Sequence, residues 1–338
     1  MDTEWLDLVV NCGYGHLPAS GLPACFYNRK NMKPFRINLT RAYRSILPVM
    51  ALAILSGLVL CGCKSKYKIL LDAGLTVPLT ESQVVSLSVE SKILGREIPC
   101  KVYLPKGYGG GKRYPVWYGL HGHGQSESMW IRDVDMDKVA DEMIEAGEIQ
   151  PIIMVFPFTR DATLKEIEED LRDDGKLDER KWDQFLWKEL VPYMDSRFDT
   201  VTSAEGRYIG GFSMGGAIAL RIAFHHPELF SRVGGYTAAV PSDDFSGKQL
   251  EKWLYPNMDP EAVSDVARFA EEKGLVNLKV YLEAGNENDP FLNPLQSLHE
   301  ALLERGVQSE FIIYNGGHSL DNARKCAKDY LRFYVAED

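Results

Sequence analysis

Arg207-Tyr208-Ile209-Gly210-Gly211-Phe212-Ser213-Met214-Gly215-Gly216 decides how this chain folds. Arg207 to Phe212 reads as a short buried strand, and Ala217 to Ala223 (AIALRIA) as the helix that follows. Between them sits Gly-x-Ser-x-Gly, at Gly211, Ser213 and Gly215. A serine on a sharp strand-to-helix turn adopts a strained backbone, and its neighbours must be small for the turn to close. Such a turn lifts the hydroxyl above the sheet and points the positive end of the helix at any oxyanion formed there. The plainer reading of the same residues is a glycine-rich turn with a serine N-cap. The strand before and the helix after favour a nucleophile at Ser213.

Outward from this turn, strands and helices alternate. Strands are expected over Val84 to Glu90, Glu97 to Leu104, Tyr114 to Leu120, Pro151 to Phe158, Val233 to Val240, Leu278 to Ala284 and Glu310 to Tyr314. Helices are expected over Met136 to Ala146, Lys181 to Arg197, Leu295 to Arg305 and Asn322 to Tyr334, with residues 242–275 helical and covering one rim. This alternation implies a mostly parallel sheet with helices on both faces. Reactive groups then belong at the carboxyl ends of the strands.

A serine hydroxyl needs a base. Of the seven histidines, His318 follows the last strand in Asn315-Gly316-Gly317-His318-Ser319, where the glycines suit a loop that must place an imidazole closely. His225 and His226 end the helix after the serine, where a capping or cationic role fits, and His299 reads as surface. The base in turn needs a carboxylate to hold its tautomer. Gly285-Asn286-Glu287-Asn288-Asp289-Pro290 follows the preceding strand, with Asp289 as the expected acid and Glu287 as the alternative. Donors for an oxyanion are expected from the backbone N–H of Met214 and of His123, the latter in His121-Gly122-His123-Gly124 after the Tyr114 strand.

These motifs together resemble the putative esterase family. The resemblance rests on His121-Gly122-His123-Gly124, on Gly210 to Gly216 followed by His226-Pro227-Glu228-Leu229-Phe230, and on Gly316-Gly317-His318-Ser319. The family groups feruloyl and acetylxylan esterases, S-formylglutathione hydrolase, enterochelin esterases and mycolyltransferases. It implies an α/β-hydrolase fold from about Val84 onward and a Ser-Asp-His triad at Ser213, Asp289 and His318. Two departures stand out. One extra residue intervenes before the acid, which keeps Glu287 open, and Leu320 stands where feruloyl esterases often carry tryptophan. The implied reaction is hydrolysis of short-acyl (acetyl) or feruloyl esters of carbohydrates, with no cofactor. Acyl transfer within the same family and non-catalytic binding on an esterase scaffold are the alternatives.

The N-terminal part reads differently. Val49 to Leu60 (VMALAILSGLVL) is an apolar run too short for a comfortable membrane span. Lys33, Arg36, Arg41 and Arg44 precede it and Cys61-Gly62-Cys63 follows. The pattern resembles a bacterial lipoprotein signal over residues 32–63, with the small Gly62 before a lipidated Cys63. Residues 1–31 read as a doubtful upstream extension, 64–82 as a tether and 83–338 as the esterase domain. The expected location is the bacterial cell envelope outside the cytoplasm, with a lipid anchor in the membrane.

The chain has 338 residues, 45% hydrophobic, and a formal net charge of −10, which argues against a nucleic-acid partner. Its six cysteines, Cys12, Cys25, Cys61, Cys63, Cys100 and Cys326, show no metal-ligand spacing. Cys100 and Cys326 read as separate thiols, with pairing as the alternative. The acidic stretch Lys165 to Arg180 reads as a solvated helix, with a lid as the alternative. Trp130 and Trp182 are candidates for stacking on a sugar or for core packing.

Overall fold

The computed structural model describes residues 78–159, 180–255 and 259–335. All of them lie in a unit spanning Lys64–Asp338. The upstream extension, the signal with Cys63, tether residues 64–77 and residues 160–179, which include the acidic stretch up to residue 179, lie outside the described residues. The last tether residues already join the fold. Leu79 is buried and exchanges backbone hydrogen bonds with Tyr108 and Gly107. Among the described residues no helix is long and apolar enough to cross a membrane.

Eight strands form one sheet. They are β1 (Gln83–Ser91), β2 (Arg96–Leu104), β3 (Val116–Leu120), β4 (Ile153–Pro157), β5 (Arg207–Phe212), β6 (Arg232–Tyr236), β7 (Lys279–Gly285) and β8 (Gln308–Tyr314). Their order is β1-β2-β4-β3-β5-β6-β7-β8. β1, β2 and β4 pair antiparallel, and every pairing from β4 through β3 to β8 is parallel. This is the mostly parallel sheet expected from the alternation, in the α/β-hydrolase arrangement that the resemblance implies. β3, β4 and β5 are buried at every position, as continuous apolar runs in the middle of a two-sided sheet must be. β1 alternates in exposure because it lies at an edge.

The helices cover both faces. On one face, α2 (Met136–Glu145) and α9 (Leu320–Val335) bury Met136, Ala140, Met143, Ala327, Tyr330 and Leu331. On the other, α4 (Val191–Arg197), α5 (Met214–His225) and α8 (Leu292–Glu304) bury Met194, Ile218, Ala219, Leu295 and Leu298. A short α1 (Met129–Arg132) places Trp130 in the first of these layers.

Three expectations are revised. The helix expected over Lys181 to Arg197 is α3 (Lys181–Gln184), a π-helical turn (Phe185–Leu190) and α4. Pro192 has no N–H to give the Lys188 carbonyl, so the regular ladder cannot run through this point. The helical rim over 242–275 is two short helices, α6 (Gln249–Leu254) and α7 (Val266–Glu272). Pro260 opens a 3-10 turn between them, and the Asp265 carboxylate accepts from Arg268 N–H at 3.0 Å to restart the helix. Finally, β6 stops at Tyr236 instead of reaching Val240, because Thr237 takes φ = 43° and turns the chain out of the strand.

A buried ion pair ties α3 to the helix behind the serine. Arg221 on α5 donates to both oxygens of Asp183 on α3, at 2.7 and 2.9 Å. Both side chains are nearly inaccessible to solvent. Two such bonds in parallel are the strong form of this contact.

Candidate active site

Ser213 sits between β5 and α5 at φ = 55°, ψ = −118°, outside the regions that L residues favour. Two glycines make the turn possible by close approach. A Cβ on Gly211 would lie 2.4 Å from the Gly215 carbonyl carbon. One on Gly215 would lie 2.5 Å from the carbonyl oxygens of both Leu120 and His121. The start of α5 therefore abuts the end of β3, which brings the His121-Gly122-His123-Gly124 loop beside the serine. Backbone bonds lock the turn: Ser213 N–H donates to Tyr236 C=O at 2.9 Å, and Ser213 C=O accepts from Ala239 N–H at 3.0 Å.

His318 is brought to Ser213. Its Nε2 lies 3.1 Å from Ser213 Oγ. The loop that carries it is fixed from behind, where Asn322 Nδ2 donates to Gly317 C=O at 2.6 Å and the Tyr314 hydroxyl donates to the same carbonyl at 3.3 Å. The imidazole lies beside the rings of Phe212 and Phe291, at centroid distances of 5.0 and 5.3 Å. Burial holds its pKa below the ordinary histidine value, opposed by the charge of Asp289. A depressed pKa favours the neutral ring near pH 7, the form a general base requires.

The two carboxylates of the β7–α8 loop part company. Asp289 has a fully buried side chain, and its oxygens accept from Gly285 N–H at 2.9 Å, Phe291 N–H at 3.0 Å and the Thr237 hydroxyl at 3.1 Å. Its Oδ1 lies 3.9 Å from His318 Nδ1. Glu287 is exposed, and it is its backbone N–H that is engaged, donating to Gly316 C=O at 2.9 Å. Between the two carboxylates Asn288 adopts the left-handed φ = 57° that asparagine tolerates.

The loop expected to supply an oxyanion donor shows an element that sequence reasoning missed. His121, taken there only as part of a glycine-rich loop, is buried and pins the loop with its ring. Its Nε2 accepts from Thr159 N–H at 3.1 Å, so its Nδ1–H donates to Gly122 C=O at 2.8 Å. Burial lowers its pKa, which keeps it in that neutral form. The pairing with Thr159 joins the ends of β3 and β4, a contact no local pattern reveals. Gly122 N–H is taken by Gln125 Oε1 at 3.1 Å. The next residue, His123, has an exposed side chain at the tip of this turn. Met214 opens α5, so its N–H belongs to the first turn, which lacks intrahelical acceptors.

Other candidates fall elsewhere. His225 Nε2 lies 2.9 Å from Trp253 C=O and holds α5 to α6, while His226 pairs with Glu228 at 3.1 Å. His299 Nδ1 lies 2.9 Å from Ser309 Oγ on β8, so it is half-buried and tied to the sheet edge rather than free on the surface. Trp130 is a core residue, 1% exposed, with its indole N–H on Leu120 C=O. Trp182 is half-buried edge-on to Phe158, with the Arg96 guanidinium 5.3 Å from its ring. Cys100 and Cys326 are separate thiols. Among the described residues no cluster of three or more His, Cys, Asp or Glu side chains has the geometry to hold a metal ion.

Residues 91–323 match the family model described as putative esterase. The chain is 26% identical over 256 residues to an endo-1,4-beta-xylanase/feruloyl esterase of Xylanibacter ruminicola, spanning 73% of this chain and 31% of the relative. It is 30% identical over 225 residues to endo-1,4-beta-xylanase Y of Acetivibrio thermocellus, spanning 62% of this chain and 18% of the relative. The chain therefore matches a third or less of the length of these two relatives. Among solved structures, a ferulic acid esterase superimposes with a TM-score of 0.61 at 22% identity, covering 76% of this chain and 98% of the other. An S-formylglutathione hydrolase of Staphylococcus aureus does so with 0.57 at 17%, covering 78% of this chain and all of the other. At these identities the structural likeness speaks for the fold.

Proposed function

The chain belongs to the putative esterase family, and from that premise we propose that it hydrolyses carboxylic esters through an acyl-enzyme on Ser213. The observation that carries the reading is the 3.1 Å approach of a neutral His318 Nε2 to Ser213 Oγ on a strained turn. His318 takes the Ser213 proton as Oγ attacks the ester carbonyl. The N–H groups of Met214 and His123 receive the oxyanion of the tetrahedral intermediate. His318 then returns the proton to the leaving alcohol, and the C–O bond to that alcohol breaks. A water attacks the acyl-enzyme by the same route, giving the acid and free Ser213. Asp289 stabilises the imidazolium formed in each half-reaction.

The substrate class is a short-acyl (acetyl) or feruloyl ester of a carbohydrate. Support comes from the relatives, one named as a xylanase and feruloyl esterase and another as a xylanase. A lipid-anchored location outside the cytoplasm is consistent with this, since polymeric glycans lie there. A panel of p-nitrophenyl acetate, butyrate and octanoate, methyl ferulate and acetylated xylan tests the reading. Turnover of the short or feruloyl esters, abolished in Ser213→Ala, is the expected result. Absence of turnover on every ester, with no labelling by a fluorophosphonate, would leave the scaffold non-catalytic.

A further inference from the structure

Acid and base do not meet in this site. Their nearest atoms, Asp289 Oδ1 and His318 Nδ1, are 3.9 Å apart, beyond hydrogen-bond reach. The Thr237 hydroxyl fills the gap, 3.1 Å from Asp289 Oδ1 and 2.5 Å from His318 Nδ1. We propose that Thr237 is a positioning residue that fixes the tautomer of His318 by linking it to Asp289; this rests on the triad reading above.

The direction of each bond follows from the number of protons. An ionised carboxylate only accepts, so the single hydroxyl hydrogen of Thr237 points to Asp289. The Thr237 oxygen then has only lone pairs to offer His318, and Nδ1 must carry the hydrogen between them. A neutral imidazole with its proton on Nδ1 has its lone pair on Nε2, the atom that faces Ser213 Oγ. The reverse tautomer would set two acceptors against each other at 2.5 Å. No proton travels through Thr237. When Nε2 takes the Ser213 proton, the imidazolium is steadied by the hydroxyl dipole, which Asp289 orients, and by the Asp289 charge behind it.

The backbone is built to hold this hydroxyl. Thr237 is 1% exposed and sits at φ = 43°, a left-handed value at which a β-branched residue is rare. Glycine would be the default occupant there. The conformation is held because Thr237 N–H donates to Glu283 C=O on β7 at 2.9 Å, one residue after Tyr236 C=O accepts from Ser213 N–H. Thr237 thus lies between the strand of the nucleophile and the strand of the acid. Among the described residues the charged group acting on His318 is Asp289, from the β7–α8 loop. Ser213 faces it from the β5–α5 turn and Thr237 from the end of β6, while the rings from β5 and from Phe291 before α8 are apolar.

The full-length protein with Thr237→Ser, Thr237→Val and Thr237→Ala, beside Ser213→Ala, tests the proposal. Hydrolysis of p-nitrophenyl acetate is followed across the pH range in which histidine titrates, with melting temperature measured in parallel. Thr237→Ser is expected to keep activity within about threefold and to keep the midpoint of the pH profile. Thr237→Val should lose kcat on the order of tens- to hundreds-fold, with KM little changed. Its ascending limb should move to lower pH, because the imidazolium Nδ1–H has lost its acceptor. Valine or alanine with wild-type kcat and midpoint would show that Asp289 reaches His318 directly, overturning the proposal. Equal losses in all three, tracking the melting temperature, would reduce Thr237 to a structural role and overturn it too. Activity that survives Ser213→Ala would instead remove the triad on which the proposal rests.

Discussion

Asp289 turns its carboxylate into the protein while Glu287, two residues earlier on the same loop, is exposed. The difference is fixed by hydrogen bonds. Three donors converge on Asp289, from Gly285, Phe291 and Thr237. Asp289→Asn is therefore expected to lower kcat by on the order of a thousandfold or more, since an amide cannot accept from all three and disturbs the tautomer of His318. Glu287→Gln should stay near wild type. The reverse ranking in steady-state kinetics would move the acid to Glu287.

His318 gives the pH dependence its sign. Burial holds its pKa below the ordinary value of 6.5, with Asp289 opposing the shift. The base works only when neutral, so kcat/KM should rise as pH rises through the depressed pKa. The ascending limb is expected to have its midpoint on the acidic side of 6.5. A midpoint clearly above that value in a pH–rate profile would contradict the assignment of His318 as a buried base.

Much of this site was legible in the sequence because its parts are local. Gly211, Ser213 and Gly215 carry their geometry within five residues, and the loop of His318 announces itself by glycines after the last strand. The order of elements followed from alternation alone. What escaped was long-range. The pairing of His121 with Thr159 and the insertion of Thr237 between Asp289 and His318 join residues from different strand ends. A threonine after an apolar strand carries no pattern that marks it. The early end of β6 had the same cause, because the left-handed turn at Thr237 is tied down by its N–H bond to Glu283 on β7 and, on either side, by the bonds of Tyr236 and Ala239 to Ser213.

Asp183 and Arg221 make a test of stability separable from chemistry. Removing one partner leaves the other charged and buried. Asp183→Ala is expected to destabilise the fold by about 3–5 kcal/mol in denaturant titration. Replacing both by apolar residues of similar size should cost far less, because no unpaired charge remains. A single mutant as stable as wild type would mean that solvent reaches the pair.

The lipoprotein reading concerns residues outside the described fold. Expressed in a bacterial host from Met32, the protein is expected to fractionate with membranes and to carry acyl chains on Cys63. Cys63→Ser should abolish incorporation of a labelled fatty acid. An intact mass showing an unmodified chain that begins at Met1 would refute the signal and the envelope location together.

Glu283 lies on β7 with its carboxylate among Tyr330, Tyr281 and Cys326. Burial pushes its pKa up to about 8, although the two tyrosine hydroxyls pull it down. An acid whose folded pKa exceeds its unfolded one binds more protons when folded between those two values. Stability therefore falls as pH rises across that window. The sign is opposite to that of a salt-bridged carboxylate, which loses stability on acidification. The melting temperature should decline from about pH 5 toward pH 8, once the other titrating groups are subtracted by comparison with Glu283→Gln. Glutamine keeps an acceptor for Tyr330 and cannot ionise, so the variant should gain on wild type as pH increases. A difference between the two proteins that does not change with pH would show that Glu283 does not titrate in this range. Because the Glu283 carbonyl holds the N–H of Thr237, the titration is expected to reach the candidate site through the backbone. Activity lost at high pH by wild type but kept by Glu283→Gln would be the functional mark of that link.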